Sequence, residues 1–202
     1  IIRNETRIRL ELSVRIKTPV THEEAVAFLR RGSDERALKI YIYERTESGY
    51  AQSAVIEGSG TAIYSVDYRD LDGDGREEIL TFRADEQGAG TADYYAWTGD
   101  GTLAPAGVAR LSMTMAELSA GQVLSGTLRG GEPAVFATGV SDSRIQVTDV
   151  LALRQGELGN LTVSDSTGVS REIYRYLGLF PTDIDGDGVT ELPVPQDPVS
   201  YT

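Results

Sequence analysis

The sequence predicts an all-β fold, a β-propeller-like array of four-stranded units of roughly 55 residues each. Three observations carry that expectation. Strand-like strings recur at nearly constant spacing, two recurrences are led by almost the same acidic loop, and Gly, Asp and Ser concentrate at the turns.

The loop DLDGDG at 70–75 runs into REEILTF at 76–82, and related strings follow at EEAVAFL (23–29), EPAVFATG (132–139) and TELPV (190–194). Glu24 to Glu78 is 54 residues, Glu78 to Ala134 is 56 and Ala134 to Glu191 is 57. A second series keeps the same register: KIYIYERTESGY (39–50), DYYAWTGDGTL (93–103) and DVLALRQGEL (149–158), with Tyr43 to Trp97 at 54 and Trp97 to Leu153 at 56 residues. Upstream of each loop position lies a third series: RIRLELSVRI (7–16), TAIYSVDY (61–68), GQVLSGTL (121–128) and EIYRYLGLF (172–180). In the first of these, Ile8, Leu10, Leu12, Val14 and Ile16 alternate with mostly charged residues, the period of two of a strand with one buried face. THEEAVAFLRR opens with a threonine three residues ahead of a glutamate, the capping pattern of a short helix. Its alignment with REEILTF outweighs that local signal and predicts a strand over 23–29.

Dividing 202 residues by roughly 56 gives about 3.6 units. The expected organisation is one repeat domain over 1–202, with units near 7–60, 61–120, 121–171 and 172–202. Either the first strand completes the last unit to make a small ring, or the chain is a fragment of a larger one. The Pro-rich end ELPVPQDPVSYT, which stops soon after a fresh repeat begins, favours the fragment.

Composition narrows the chemistry. Net charge is −12, from 19 Lys and Arg against 31 Asp and Glu, which argues against nucleic-acid backbones and for divalent cations as counter-charge. There is no cysteine, so disulfides, thiolate metal sites and cysteine nucleophiles are excluded. The single histidine, His22, reads as a loop side chain. No apolar run approaches the roughly 20 residues that span a bilayer, and IIRNETRIRL does not have the layout of a signal peptide.

Carboxylates on alternate positions of a tight Gly-containing loop can all point at one centre, and calcium takes six to eight such oxygens. In the first loop the expected ligands are Asp70, Asp72, Asp74, the carbonyl of Arg76, and Glu78. In the second they are Asp183, Asp185, Asp187, the carbonyl of Val189, and Glu191. Glycines at 73, 75, 186 and 188 let the chain curl. An EF-hand-type loop would need a glutamate at its twelfth position and a following helix, but Thr81 and Val194 stand there and strands follow. Solvated acidic turns are the plainer alternative, weakened by the duplication. The corresponding stretches KTPVTH (17–22) and TLRGGE (127–132) lack aspartates, so two calcium ions are expected, in alternate repeats.

DLDGDGREEI and DIDGDGVTEL, each leading into a strand of a repeating unit, resemble the calcium loops of integrin-alpha-type (FG-GAP and VCBS-like) β-propeller repeats. The wider pattern, including KIYIYER and GSGTAIYSVDYRDLDGDG, is similar to uncharacterised surface lipoproteins of anaerobic Gram-positive bacteria. The resemblance implies a propeller, calcium, and an extracellular or cell-surface location. It also allows a lipid anchor in the parent protein, although the anchoring cysteine of such lipoproteins is absent here. No Phe-Gly or Gly-Ala-Pro string is present.

The function expected is a calcium-stabilised binding or scaffold module, its ligand an unidentified protein or glycan, with no catalytic activity. The alternative is a carbohydrate-active enzyme, polysaccharide-lyase-like, or a glycan-binding propeller in which Tyr41, Tyr43, Tyr94, Tyr95 and Trp97 stack on sugars. Aromatics at strand spacing are more often packing residues.

Overall fold

A computed structural model describes residues 10–13, 26–30, 38–58, 63–100, 102–141, 145–162, 172–174 and 180–192. Its strands are β1 (Leu10–Ser13), β2 (Val26–Arg30), β3 (Leu38–Thr46), β4 (Gly49–Gly58), β5 (Ile63–Arg69), β6 (Glu78–Ala84), β7 (Ala89–Trp97) and β8 (Leu103–Thr114). After a short helix α1 (Met115–Ser119) come β9 (Gln122–Leu128), β10 (Glu132–Val140), β11 (Ile145–Arg154), β12 (Glu157–Asn160) and β13 (Glu172–Tyr174). The fold is all-β in class, built from three antiparallel sheets in chain order: β1-β2-β3-β4, β5-β6-β7-β8 and β9-β10-β11-β12. Each is a meander of sequential neighbours, the arrangement that short turns impose on antiparallel strands. The strings at 23–29, 76–82 and 132–139 map to the second strands, β2, β6 and β10, although 23–25 lie outside the described residues.

The sheets are layered face to face, and β6 shows why. Ile79 joins Tyr95, Val66 and Leu103 in a buried cluster with Ile42 and Ile56 of the first sheet. One residue on, Leu80, then Phe82 and Ala84, point the other way into a cluster with Val135, Ala137 and Leu151 of the third sheet. A strand covered on both faces carries apolar residues on both, and β6 supplies them with Ile79 on one side and Leu80, Phe82 and Ala84 on the other. The third sheet presents Ala134, Phe136, Val150 and Ala152 on its far face, with Leu128 and Leu161 packed against them.

Two features depart from the expected pattern. Between the second and third sheets, the link from β8 to β9 forms α1: Thr114 caps it by accepting from the Glu117 N–H at 3.3 Å while Glu117 Oε2 accepts from the Thr114 N–H at 2.7 Å. Met115 and Leu118 drop from it into the core between the second and third sheets, and that burial fixes a helix of barely more than one turn. The second departure is β13. Expected to open a fourth unit, Glu172–Tyr174 instead pairs with Ile145–Val147 of β11. β12 covers only Leu151–Arg154 of β11, which leaves the backbone groups of its first half open to another strand.

Candidate metal centre

Arg69 and Glu78 are the last pair of the β5–β6 ladder, so residues 70–77 form the connecting loop. Its aspartates shape it by accepting from the backbone. Asp70 takes the Gly73 N–H on Oδ1 at 2.7 Å and the Gly75 N–H on Oδ2 at 3.0 Å. Asp72 Oδ1 accepts from the Asp74 N–H at 2.9 Å, and Asp74 Oδ1 from the Arg76 N–H at 2.8 Å. Glu78 Oε2 accepts from the Leu71 N–H at 2.8 Å and closes the loop. Gly73 and Gly75 stand at φ +80° and +90°, where a side chain would be strained.

The loop at 183–191 repeats this bonding residue for residue. Asp183 accepts from Gly186 at 2.7 Å and Gly188 at 3.0 Å, Asp185 from Asp187 at 3.1 Å, Asp187 from Val189 at 2.8 Å, and Glu191 from Ile184 at 2.8 Å. Thr182 bridges Glu191 as Arg69 pairs with Glu78. Two segments 113 positions apart thus adopt one conformation, dictated by the shared spacing of Asp and Gly.

In the first loop, ligand oxygens of Asp70, Asp72, Asp74 and Glu78 all lie within 4.8 Å of one another. Oxygens arranged about 2.4 Å from a common ion are separated by at most about 4.8 Å, so this set can hold a metal ion. Without one, each pair of charges repels by roughly 1 kcal/mol even in water. Asp183, Asp185 and Glu191 form the second such group, with Asp187 outside it. Arg76 and Val189, expected as carbonyl ligands, have their N–H groups committed to Asp74 and Asp187.

The two loops differ in their surroundings. Glu78 is only 1% exposed. Burial, followed by the charges of Asp72, Asp70 and Asp74, pushes its carboxyl up to about 7, against the opposing pull of the Leu71 N–H. The buried Tyr94 hydroxyl hydrogen-bonds Glu78, and burial together with the nearby acids holds that phenol above its usual range. In the second loop residues 182–188 are exposed.

The end of β5 that leads into the first loop, and the second loop itself, are both tied to β9. Arg69 Nη2 donates to the Gly126 carbonyl at 2.9 Å. The Thr190 N–H donates to the Thr127 carbonyl at 2.7 Å, and the Thr127 N–H to Thr190 Oγ1 at 3.0 Å. Sequence reading missed Arg69 and Thr190 and considered Tyr94 only for sugar stacking, because each acts here through a partner on another segment of the chain. The aspartate-free stretch at 127–132 closes β9 onto β10 through residues 129–131 alone, a turn too short to wrap an ion, with the Gly131 N–H donating to the Leu128 carbonyl at 3.1 Å. The other such stretch, 17–22 with His22, lies outside the described residues.

Of the aromatics considered for sugar stacking, Tyr94 and Tyr95 are buried in the two inter-sheet clusters. Tyr41, Tyr43 and Trp97 are half-buried, and Trp97 Nε1 donates to the Glu77 carbonyl at 3.0 Å. Among the described residues no helix is long and apolar enough to cross a membrane. No family model matches the chain, and no curated protein is similar to it.

Proposed function

We propose that this chain is a calcium-stabilised, propeller-like scaffold of the extracellular or cell-surface kind, which presents its loops to a protein or glycan ligand. The observation that carries it is the pair of acidic loops with one hydrogen-bonding pattern, each converging carboxylate oxygens on a point. All-oxygen, all-anionic donors suit a hard dication, and the flexible coordination of calcium tolerates a loop that offers three or four carboxylates plus carbonyls and water. The propeller reading is supported by three consecutive four-stranded meanders stacked face to face, which is how propeller blades bury their sheets. An extracellular setting supplies the calcium that loops of this class need, with dissociation constants of roughly 10⁻⁵ to 10⁻³ M. The role of the ion is structural: it ties the end of one strand to the start of the next. Burial of Tyr94 and Tyr95 favours the scaffold over the lyase-like alternative, whose sugar-stacking surface would need them exposed.

Isothermal titration of the metal-free chain with calcium tests this. Two ions per chain are expected, and Asp72→Asn together with Asp185→Asn should abolish the heat. A chain that takes up no calcium would leave the loops as acidic turns.

A further inference from the structure

Of the four carboxylates that converge in the first loop, Glu78 alone is buried. Two tethers hold it: the Leu71 N–H, which donates to Oε2 at 2.8 Å, and the Tyr94 hydroxyl. Both come from residues whose side chains lie in the core that joins the second sheet to the third, Leu71 at 3% and Tyr94 at 2% exposure. A buried phenol needs a partner for its O–H, and a glutamate must give up its rotamer freedom before its carboxylate faces an ion. One bond meets both needs.

The third sheet supplies an internal comparison. Leu80 pairs with Tyr94 across β6 and β7, and Phe136 pairs with Val150 at the matching place on β10 and β11. Two residues before Leu80 stands Glu78, and two before Phe136 stands Ala134. The turn that leads into β10, residues 129–131, carries no aspartate. Where the acidic loop is present, glutamate and tyrosine stand together; where it is absent, alanine and valine fill the same places. Apolar residues suffice there for packing, so the polar pair answers to the loop.

The Tyr94 ring also meets the third sheet. Its cross-strand partner Gly107 has no side chain, and a Cβ placed there would lie 4.0 Å from Tyr94 Cδ1 and 3.4 Å from the Leu158 Cβ of β12. We infer that Tyr94 is the positioning residue of the first metal site, holding the Glu78 carboxylate toward the ion and passing the occupancy of that site to the contact between β8 and β12. The inference rests on the calcium reading proposed above. The coupling is reciprocal: an ion that fixes Glu78 fixes Tyr94, and a ring seated beside Leu158 sets Glu78 in place for the ion.

Trp97 is the only tryptophan in the chain, and its indole N–H donates to the Glu77 carbonyl at 3.0 Å, so tryptophan-sensitised terbium luminescence reads the first loop. Calcium should displace terbium from the unaltered chain. Tyr94→Phe keeps the ring and loses the hydroxyl, and should weaken terbium binding at this loop by about tenfold or more. Tyr95→Phe, on the opposite face of β7, should leave the midpoint unchanged. A tyrosine needed only for packing would lower the melting temperature of Tyr94→Phe and leave the midpoint in place. In the unaltered chain, calcium should slow hydrogen exchange at Gly107 and Leu158 more than at Ile42 and Ile56 of the first sheet, a readout independent of how Tyr94→Phe folds. An unshifted midpoint in Tyr94→Phe, or exchange at Gly107 and Leu158 indifferent to calcium, would overturn the inference alone. A chain that neither sensitises terbium nor takes up calcium would overturn the metal reading, and this inference with it.

Discussion

The N–H of Leu71 donates to Glu78 Oε2 at 2.8 Å, and through that bond the apolar second residue of the acidic loop and its last carboxylate are fixed together. Leu71 is thereby set into the inter-sheet core, and Glu78 is drawn beneath the three aspartates, out of water. A carboxylate buried among like charges is costly until a cation joins it.

That cost appears first as a pH dependence. The Glu78 carboxyl sits at about 7 in the folded chain against an ordinary 4.5, so the fold binds its proton more tightly than the unfolded chain does. In metal-free protein the group favours folding most below pH 4.5, and that contribution is lost as pH rises through about 7. The melting temperature of Glu78→Gln should therefore fall less between pH 5 and 7.5 than that of the unaltered chain. Equal slopes in thermal melts would show that Glu78 ionises normally.

On the proposed reading, calcium competes with the same proton. Affinity at the first loop should drop about tenfold for each pH unit below 7, because the carboxylate must be ionised to bind. Titrating the Asp185→Asn chain, in which only the first loop is intact, at pH 6 and pH 8 checks this.

The loops were legible in the sequence because their chemistry is local: nine residues carry both the ligands and the glycines that turn the chain. Strand positions were legible for a related reason, since strands buried on both faces such as β6 and β10 place apolar residues at adjacent positions, Ile79–Leu80 and Ala134–Ala137. What escaped depends on distant partners. The T-x-x-E pattern occurs at both Thr21 and Thr114; at Thr114 a helix forms because Met115 and Leu118 find a core between two sheets. The pairing of β13 with β11, and the clasp between Thr127 and Thr190, join segments with no shared local signal.

Thr190 offers a test of that clasp. Thr190→Val removes the Oγ1 that accepts from the Thr127 N–H and should destabilise the fold by about 1 kcal/mol, the usual worth of one such bond. Chemical denaturation with an unchanged m-value would measure it.

Packing between the second and third sheets can be probed at Asp149. It is fully buried on β11 and accepts from the Ser112 N–H at 2.7 Å, Ser112 Oγ at 2.6 Å and Thr162 Oγ1 at 3.0 Å. Asp149→Ala strands three donors and should cost roughly 3 kcal/mol or more. Asp149→Asn, which keeps one acceptor oxygen, should cost less.

The central claim, that carboxylates at 70–78 and 183–191 converge to hold ions, is tested most directly by thermal unfolding with calcium and with chelator. Free calcium at ten times its dissociation constant stabilises by about 1.4 kcal/mol per site. Two sites on a chain of this size should raise the melting temperature by roughly 5 to 10 °C. Chelation should reverse the rise, and Asp72→Asn with Asp185→Asn should erase it. A melting temperature indifferent to calcium and to chelator would contradict the account.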